Sequence, residues 1–355
     1  MNTQNETFKF GWIPDLPDHR DVLYSAPLKW LQTLPSNIDL RASCPVVYNQ
    51  GQLGSCTSNA VGAAFQFTQK KQHIPDFTPS RLFIYYNIRR MMGTVPSDSG
   101  ASIRNGMKTM ANEGICAEMR WPYDITRFTS MPVQDCYDKA LTNQALAYSS
   151  IDNTRLSQLK TCIYEGFPFV FGFTVYESFM TIGADGVMPM PQPDESTLGG
   201  HAVMAVGYDD AKQVFIVRNS WGTQWGDHGY FYMPYTFITD LGYARDFWTL
   251  RLVEEGLQLV AGVPAAATVE ASNGQSVDYR VKQAILIVSG NPSVDPDKLS
   301  ETKEMADFGF NDMQYVDLTD RFNNIRRAEG NSTEVSFDDV SDCEKVKDCI
   351  ELVNS

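Results

Sequence analysis

The chain has 355 residues, of which 43% are hydrophobic and 20% charged, and its formal net charge is -14. Length and composition predict two domains with sizeable cores and argue against a disordered, collagen-like or repeat protein. The acidic balance predicts repulsion from phosphate backbones and anionic membrane surfaces, so neither nucleic acid nor a membrane is expected as a partner. No stretch approaches the roughly 18 apolar residues of a membrane-spanning helix.

The seven cysteines indicate a reducing compartment. Their odd number and scattered spacing argue against a disulfide framework, and no cluster with histidine has the spacing of metal ligands. The first residues lack the basic segment and apolar run that a secretory signal would have. We therefore expect a cytoplasmic protein with no metal and no other cofactor.

The predicted elements change from helices to strands along the chain. Residues 1–38 are rich in turn formers and predict an extended arm lying on a domain. Apolar spacing with flanking proline and glycine predicts helices over 56–70, 79–92 and 101–112. Runs of β-branched and aromatic residues predict strands over 167–175, 201–208 and 214–217. This order predicts an α+β domain over residues 39–255, with a cleft between two halves.

Cys56 is placed where a cysteine becomes a strong nucleophile. Gly54 and Ser55 allow a tight turn, and the helix is predicted to begin at Cys56. Free backbone N–H groups and the positive end of the helix dipole stabilise a thiolate there and lower the pKa of the thiol. The thiolate is the competent nucleophile, although an isolated cysteine is more often a small buried hydrophobe.

The segment from Asn49 to Ala60, Asn-Gln-Gly-Gln-Leu-Gly-Ser-Cys-Thr-Ser-Asn-Ala, resembles the active-site cysteine segment of the papain family. The resemblance implies that Cys56 is the nucleophile. It also implies that Gln50 donates its side-chain amide into the oxyanion hole, with the Cys56 N–H as the second donor. Thr57 departs from the family pattern, because a tryptophan or tyrosine is usual there, and this removes packing beside the nucleophile but no catalytic group.

His201 is the candidate general base among four histidines. It follows two glycines and opens a predicted apolar strand, so its ring can stand at a strand end that faces the cleft. From this pattern alone, a core histidine without a chemical role is the alternative. The remaining histidines lie in polar segments and are expected at the surface: His19, His73 and His228.

The residues around His201 resemble the histidine strand of the papain family, and those at 217–230 resemble its asparagine loop. The matching runs are Gly-His-Ala-Val-Met-Ala-Val-Gly-Tyr and Val-Arg-Asn-Ser-Trp-Gly-Thr-Gln-Trp-Gly-Asp-His-Gly-Tyr. The resemblance implies that Asn219 accepts the second imidazole N–H and orients the ring. It implies that Trp221 shields this hydrogen bond from water.

The resemblance further implies a papain-like two-lobed fold and the chemistry of a cysteine-type peptidase. The thiolate would attack a peptide carbonyl and form a thioester acyl-enzyme, which water then hydrolyses. The substrate would be a peptide or protein. Gly100 is expected to hydrogen-bond the substrate backbone in the manner of an added strand, with Gly200 as a second contact.

A linker and a second domain are predicted after residue 255. Residues 256–276 are rich in Gly, Ala, Pro and Ser, which is typical of a linker. Residues 277–355 resemble, more weakly, an acyl carrier protein, and from Ser276 onward the chain carries 17 acidic against 9 basic residues. Asp312 stands where that family attaches phosphopantetheine to a serine. We therefore expect an unmodified all-α bundle that docks a protein partner, and a generic acidic helical bundle is the alternative.

Two other functions remain open from the sequence. A Cys/His/Asn acyltransferase or amidase in a biosynthetic system would use the same residues. A catalytically weak peptide-binding protein would need them less, and the complete set of Gln50, Cys56, His201 and Asn219 argues against it.

Overall fold

The computed structural model describes residues 8–26, 34–254, 276–289 and 294–355, apart from 309, 311–314, 316, 317, 320, 324, 327, 328, 330, 332 and 334. The chain divides into two compact units, Met1–Gly256 and Leu257–Ser355. The predicted linker at 256–276 and the predicted Asp312 position lie outside the described residues, except for Ser276. In the described part, no helix combines the length and apolar character needed to cross a bilayer.

Among the described residues of the first unit, the first three α-helices begin and end close to the predicted positions, whereas the three that follow were not predicted. The helices are α1 (Cys56–Lys71), α2 (Arg81–Met92), α3 (Ile103–Asn112), α4 (Gln134–Ala140), α5 (Leu156–Tyr164) and α6 (Tyr235–Ile238). Helix α2 starts after the predicted position because the Ser80 side chain caps it by accepting from the Phe83 N–H. It ends at Gly93, whose φ of 71° is the left-handed conformation that glycine adopts freely.

The strands of the first unit form one antiparallel sheet. They are β1 (Asn37–Asp39), β2 (Ala145–Ser150), β3 (Phe169–Tyr176), β4 (Thr197–Asp209), β5 (Val214–Arg218), β6 (Tyr230–Pro234) and β7 (Ala244–Val253). Their order is β2-β7-β3-β4-β5-β6, with β1 beside β4. The β3–β4 pairing places Phe173 opposite His201, and because β4 begins at Thr197, His201 lies within the strand and does not open it as predicted.

Two hydrophobic cores fill the first unit. The first lies around α1, α2 and α3 and includes Phe65, Tyr85 and Met107. The second lies on the sheet and is rich in phenylalanine, including Phe171, Phe173 and Phe231. Helices over one core and strands over the other give the α+β fold with two lobes that the residue order predicts.

The arm before β1 lies on this unit as an extended chain. Residues 8–15 run between the two lobes, as described below. Further along, Leu23 forms a parallel bridge with Ser150 at the end of β2, and the Tyr24 N–H donates to the Ser150 carbonyl over 2.7 Å. The arm is therefore tied to the sheet edge at a second place.

The second unit has its own core. Its helices are α7 (Val277–Val288), α8 (Phe337–Ser341) and α9 (Val346–Asn354), and the described residues between 315 and 326 are helical as well. Leu318 and Phe322 are fully buried in the same core as Val281.

Candidate active site

Cys56 is the first residue of α1, and its side chain exposes no surface. The backbone N–H groups of Ala202, Gly11 and Thr57 lie close enough to its sulfur to lower the pKa of the thiol. The Ala202 contact brings the sulfur to the residue that follows His201 on β4. Two motifs 145 residues apart in sequence therefore meet across the interlobe cleft.

His201 is held by Asn219. Their Nε2 and Oδ1 atoms lie 2.8 Å apart, and the same oxygen accepts the Ser220 N–H over 2.8 Å. Because Nε2 faces a carbonyl oxygen, the neutral ring keeps its proton there, and Nδ1 is the atom able to accept a proton. In the part of the chain described, Nδ1 has no hydrogen-bond partner.

Trp221 covers this pair. Its ring centroid lies 5.0 Å from that of His201, and only 4% of the residue is exposed. An antiparallel bridge joins Trp221 to Asn49 of the cysteine loop, so the covering ring is tied to both lobes.

Gln50 points its amide into the same cleft. The Nε2 atom donates to the Leu53 carbonyl over 2.9 Å and to the Lys9 carbonyl over 3.0 Å. Ser220 fixes the other end of this side chain, since its hydroxyl donates to Gln50 Oε1 over 2.7 Å. Sequence reasoning missed Ser220, although its position next to Asn219 in the matched loop was a usable signal.

The thiol and the imidazole are both neutral in this closed state. Burial raises the pKa of Cys56 to about 11, against the three backbone N–H groups that lower it. Burial also lowers the pKa of His201 to about 4, against the bond to Asn219 that raises it. The expectation of a lowered thiol pKa is wrong for this state, because loss of water outweighs the helix N-terminus.

Residues of the arm fill the cleft. The Trp12 N–H donates to the Gly200 carbonyl over 2.9 Å, on the sheet side. On the helical side, the Ala101 N–H donates to the Gly11 carbonyl over 2.7 Å, and the Ile13 N–H donates to the Ala101 carbonyl over 3.1 Å. The arm thus adds a short strand to both walls, with a parallel bridge between Trp12 and Ala101.

Aromatic rings of the arm cover the candidate catalytic residues. Phe8 stacks on Trp221 with the ring centroids 4.0 Å apart and the planes 9° from parallel. Phe10 meets the His201 ring edge-on, with centroids 6.1 Å apart. His201 consequently exposes no surface.

Glycines let the arm approach this closely. A Cβ on Gly11 would lie 1.9 Å from the Gly54 carbonyl oxygen. A Cβ on Gly100 would lie 2.2 Å from the Gly11 carbonyl oxygen, and one on Gly200 would lie 2.6 Å from that of Trp12. Backbone cannot yield as a flexible side chain does, so any side chain at position 11 is incompatible with the closed arm.

Gly100 was predicted to hydrogen-bond a substrate backbone, and towards the arm the backbone hydrogen bonds at this edge are made by its neighbour Ala101. Ala101 makes both backbone hydrogen bonds to the arm, and the Gly100 N–H is bonded to the Tyr85 hydroxyl over 3.1 Å. Thr57 supports this edge, because its buried hydroxyl donates to the Ala101 carbonyl over 2.8 Å. Thr57 therefore contributes a hydrogen bond within the site, at the position where the family pattern has an aromatic ring.

Asp246, at the end of β7 next to the cleft, also holds the arm. It accepts from the Trp12 indole Nε1–H over 3.1 Å and from the Asp15 N–H over 2.8 Å. Its φ of 59° is left-handed, which asparagine and aspartate tolerate better than most residues. Burial raises the pKa of this carboxyl to about 6.

We expect Asp246→Asn to stabilise the protein above about pH 6, where the wild-type carboxyl is ionised. The folded protein holds this proton to a higher pH than the unfolded chain, so ionisation costs stability as the pH rises from about 4 to 6. Asparagine keeps a carbonyl acceptor for both donors and stays neutral. Two pKa units set an upper limit of about 3 kcal/mol on the gain.

Denaturant unfolding of both proteins between about pH 4 and 8 checks this expectation. The difference in free energy of unfolding should grow with pH and vanish at the acid end. The exposed pair Arg120–Asp135 provides the control variant, Asp135→Asn, for which no such growth is expected. A pH-independent difference for Asp246→Asn would contradict the assignment.

The other three histidines lie outside the buried site, and no metal-binding cluster is found among the described residues. His228 has a side chain that is 90% exposed, and His19 and His73 are not buried, as predicted. Across the ranges described, no group of three or more His, Cys, Asp or Glu side chains is placed to hold a metal ion.

Known proteins are similar in sequence to this chain. The sequence model of the papain family cysteine proteases matches residues 34–245. An uncharacterised peptidase C1-like protein of Acanthamoeba polyphaga mimivirus is 41% identical over 72% of this chain and 90% of its own length. A cathepsin L-like proteinase of Fasciola hepatica is 27% identical over 64% and 69%, respectively.

A solved structure shares the fold. Xylellain, a cysteine protease from Xylella fastidiosa, superposes with a TM-score of 0.65 at 39% identity, covering 71% of this chain and 98% of its own. The two-lobed fold, with a thiol, an imidazole and an amide along one cleft, defines a cysteine peptidase. With more than half of the chain matched, this protein belongs to the papain family of cysteine proteases.

Proposed function

We propose that the chain hydrolyses peptide bonds with Cys56 as the nucleophile and His201 as the base. The observation that carries this proposal is the 2.8 Å contact of His201 Nε2 with Asn219, which leaves Nδ1 as the proton acceptor on the ring. Once water or substrate replaces the arm, the desolvation that keeps the pair neutral is reduced, and proton transfer from thiol to imidazole becomes easier.

The remaining steps use groups that already line the cleft. The thiolate attacks the carbonyl carbon, and the oxyanion is held by Gln50 Nε2 and the Cys56 N–H, a free donor at the helix N-terminus. The imidazolium protonates the leaving amine, which breaks the peptide bond and leaves a thioester. His201 then takes a proton from water, and the resulting hydroxide equivalent hydrolyses the thioester.

In this proposal the closed arm is a resting state, and opening of the arm precedes turnover. Support comes from the Lys9 carbonyl on Gln50 and from the Gly11 N–H at the sulfur, since these contacts use the groups that a substrate needs. A tethered arm competes at a high effective concentration, so it has to be displaced before a peptide binds.

Digestion of a peptide library tests the proposal. The intact chain carrying Gly11→Val, in which the arm cannot close, is compared with the same chain carrying Cys56→Ala as well. Products are identified by mass spectrometry, and cleavage that depends on Cys56 is expected. Transfer of the acyl group to an added amine without any hydrolysis would instead favour an acyltransferase, and no reaction at all would favour a binding protein.

For the second unit we propose an unmodified, carrier-shaped module that docks a protein partner. Support comes from its helices around a separate core and from its acidic composition. Because Asp312 has no hydroxyl, the intact mass of the protein produced together with a phosphopantetheinyl transferase should equal the mass of the unmodified chain. An added phosphopantetheine mass would contradict this proposal.

A further inference from the structure

A chain of hydrogen bonds connects the two segments that provide the proposed oxyanion donors. The Tyr123 hydroxyl donates to the Gln50 carbonyl over 3.0 Å, and the Ser55 Oγ atom lies 2.5 Å from the same hydroxyl. The Asn59 Nδ2 atom donates to Ser55 Oγ over 3.2 Å. Gln50, Ser55 and Asn59 are at most 1% exposed. Tyr123 therefore joins the residue that bears the oxyanion amide to the residue before Cys56.

The direction of each bond in this chain is fixed. Arg81 can only donate, and its guanidinium donates to Asn59 Oδ1 over 3.1 Å, which turns the amide nitrogen towards Ser55. Burial raises the pKa of Tyr123, so the hydroxyl keeps its proton at neutral pH. That single proton goes to the Gln50 carbonyl, so the Ser55 hydroxyl donates to Tyr123. A chain whose donors and acceptors all match holds its members in one arrangement.

Arg81, the first residue of α2, holds the Tyr123 ring in place. Its guanidinium lies over this ring, 4.0 Å from the centroid, and forms two hydrogen bonds of 2.8 Å with the Glu118 carboxylate. It also donates to the Asn49 carbonyl over 3.2 Å, next to Gln50. Only 7% of Arg81 is exposed. The ring and the loop before the nucleophile are therefore tied to one fixed cation.

The same network holds the peptide unit between Ser55 and Cys56, whose N–H is the second proposed oxyanion donor. The Ser55 carbonyl accepts from the Ser58 hydroxyl over 2.9 Å. It also accepts from the Asn59 backbone N–H over 3.1 Å and from Asn59 Nδ2 over 2.9 Å. Hydrogen bonds to a carbonyl polarise the peptide unit and strengthen its N–H as a donor. Because Asn59 bonds both the carbonyl and the hydroxyl of Ser55, the chain that begins at Tyr123 reaches this donor too.

We propose that Tyr123 is a positioning residue of the oxyanion hole, which holds the Gln50 amide and the Cys56 N–H at a fixed separation. This inference rests on the proposed function. The Tyr123 hydroxyl is committed to Gln50 and Ser55, so it acts through them and not on the substrate. A preorganised pair of donors stabilises the oxyanion more than the ground-state carbonyl. Loss of the hydroxyl should therefore lower kcat by roughly three- to tenfold and change KM little.

Tyr123→Phe in the intact Gly11→Val chain tests the inference, because it removes the hydroxyl and keeps the ring. Steady-state kinetics on one fluorogenic peptide gives kcat and KM separately, and the loss is expected in kcat. Ser55→Ala tests the same chain of bonds from its other end, also in the event that Tyr123→Phe does not fold. It should likewise lower kcat with little change in KM.

Tyr137→Phe is the matched control. The Tyr137 hydroxyl also makes one hydrogen bond within the helical lobe, to Asn87 Oδ1 over 2.9 Å, but this bond does not involve the loop before Cys56. Both kinetic parameters should equal those of the Gly11→Val chain. A loss of kcat as large as that of Tyr123→Phe would show that removal of any such hydroxyl slows the reaction, and it would overturn the inference.

A double-mutant cycle with Gln50→Ala separates positioning from a general effect on the fold. If Tyr123 acts through the Gln50 amide, Tyr123→Phe should lower kcat by less than about twofold once that amide is gone. Equal losses with and without the Gln50 amide, or an unchanged kcat for Tyr123→Phe, would overturn this inference alone. Absence of Cys56-dependent cleavage of every peptide would overturn the proposed function and this inference with it.

Discussion

Replacing Gly11 by valine is expected to raise the rate of peptide hydrolysis by at least about tenfold. A Cβ at this position would lie 1.9 Å from the Gly54 carbonyl oxygen, a backbone atom in the turn before Cys56. Overpacking against such a fixed group costs about 1–3 kcal/mol or more, and about 1.4 kcal/mol already shifts the open fraction tenfold while the arm is mostly closed. The initial rate on one fluorogenic peptide, measured for both proteins at equal active-site concentration, checks the expectation.

Gly183→Val is the matched control for this change. A Cβ on Gly183 would meet only Asp185, at 3.6 Å, among the described residues, so it would not touch the described part of the arm. Its rate should equal that of the wild type. Wild-type activity in a correctly folded Gly11→Val protein would show that the arm does not limit access to the cleft.

Gln50→Ala is expected to lower kcat by about 10²–10³-fold when made in the open Gly11→Val chain. The amide is held by Leu53 and by the Ser220 hydroxyl, so it is already oriented before any charge develops. A preorganised donor stabilises the tetrahedral oxyanion more than the ground-state carbonyl, so KM should change little. Steady-state kinetics on a single peptide separates the two parameters.

Gln52→Ala provides the comparison, because this exposed glutamine lies in the same turn. It should leave both parameters close to those of the Gly11→Val chain. If Gln50→Ala raised KM and left kcat unchanged, Gln50 would be a substrate-binding residue and the oxyanion would need another donor.

The positions of the candidate catalytic residues could be predicted because each residue lies in a compact motif. The turn before Cys56 and the helix after it are local features, and the structure begins α1 at that residue. The pairing of His201 with Asn219 follows from two neighbouring strands and their loop. In such cases, short-range sequence patterns fix the backbone that carries the side chain.

The position of the arm could not be predicted in the same way. Its turn-forming residues indicate an extended chain but not what it lies against. The contacts that place it, such as Lys9 with Gln50 and Trp12 with Gly200, use backbone groups, which any residue possesses. The same reason explains why the backbone pairing lies at Ala101, while the glycine signal pointed to its neighbour.

The thiol pKa shows a further limit of sequence reasoning. The helix N-terminus is visible in the sequence and favours a thiolate, whereas burial depends on what covers the site. The site is covered by arm residues that are distant from Cys56 in sequence, namely Phe8, Phe10 and Trp12. Whether the pKa of the Cys56 thiol is raised or lowered therefore depends on the folded cleft as a whole.

Burial of Cys56 also limits how readily its sulfur reacts with small oxidants and alkylating reagents. Peroxide and alkylating reagents attack exposed thiolates, and the closed protein presents a thiol with no exposed surface and a raised pKa. While the arm is closed, it therefore protects the sulfur from such reagents. In the proposed open state, by contrast, the sulfur would be exposed to irreversible oxidation.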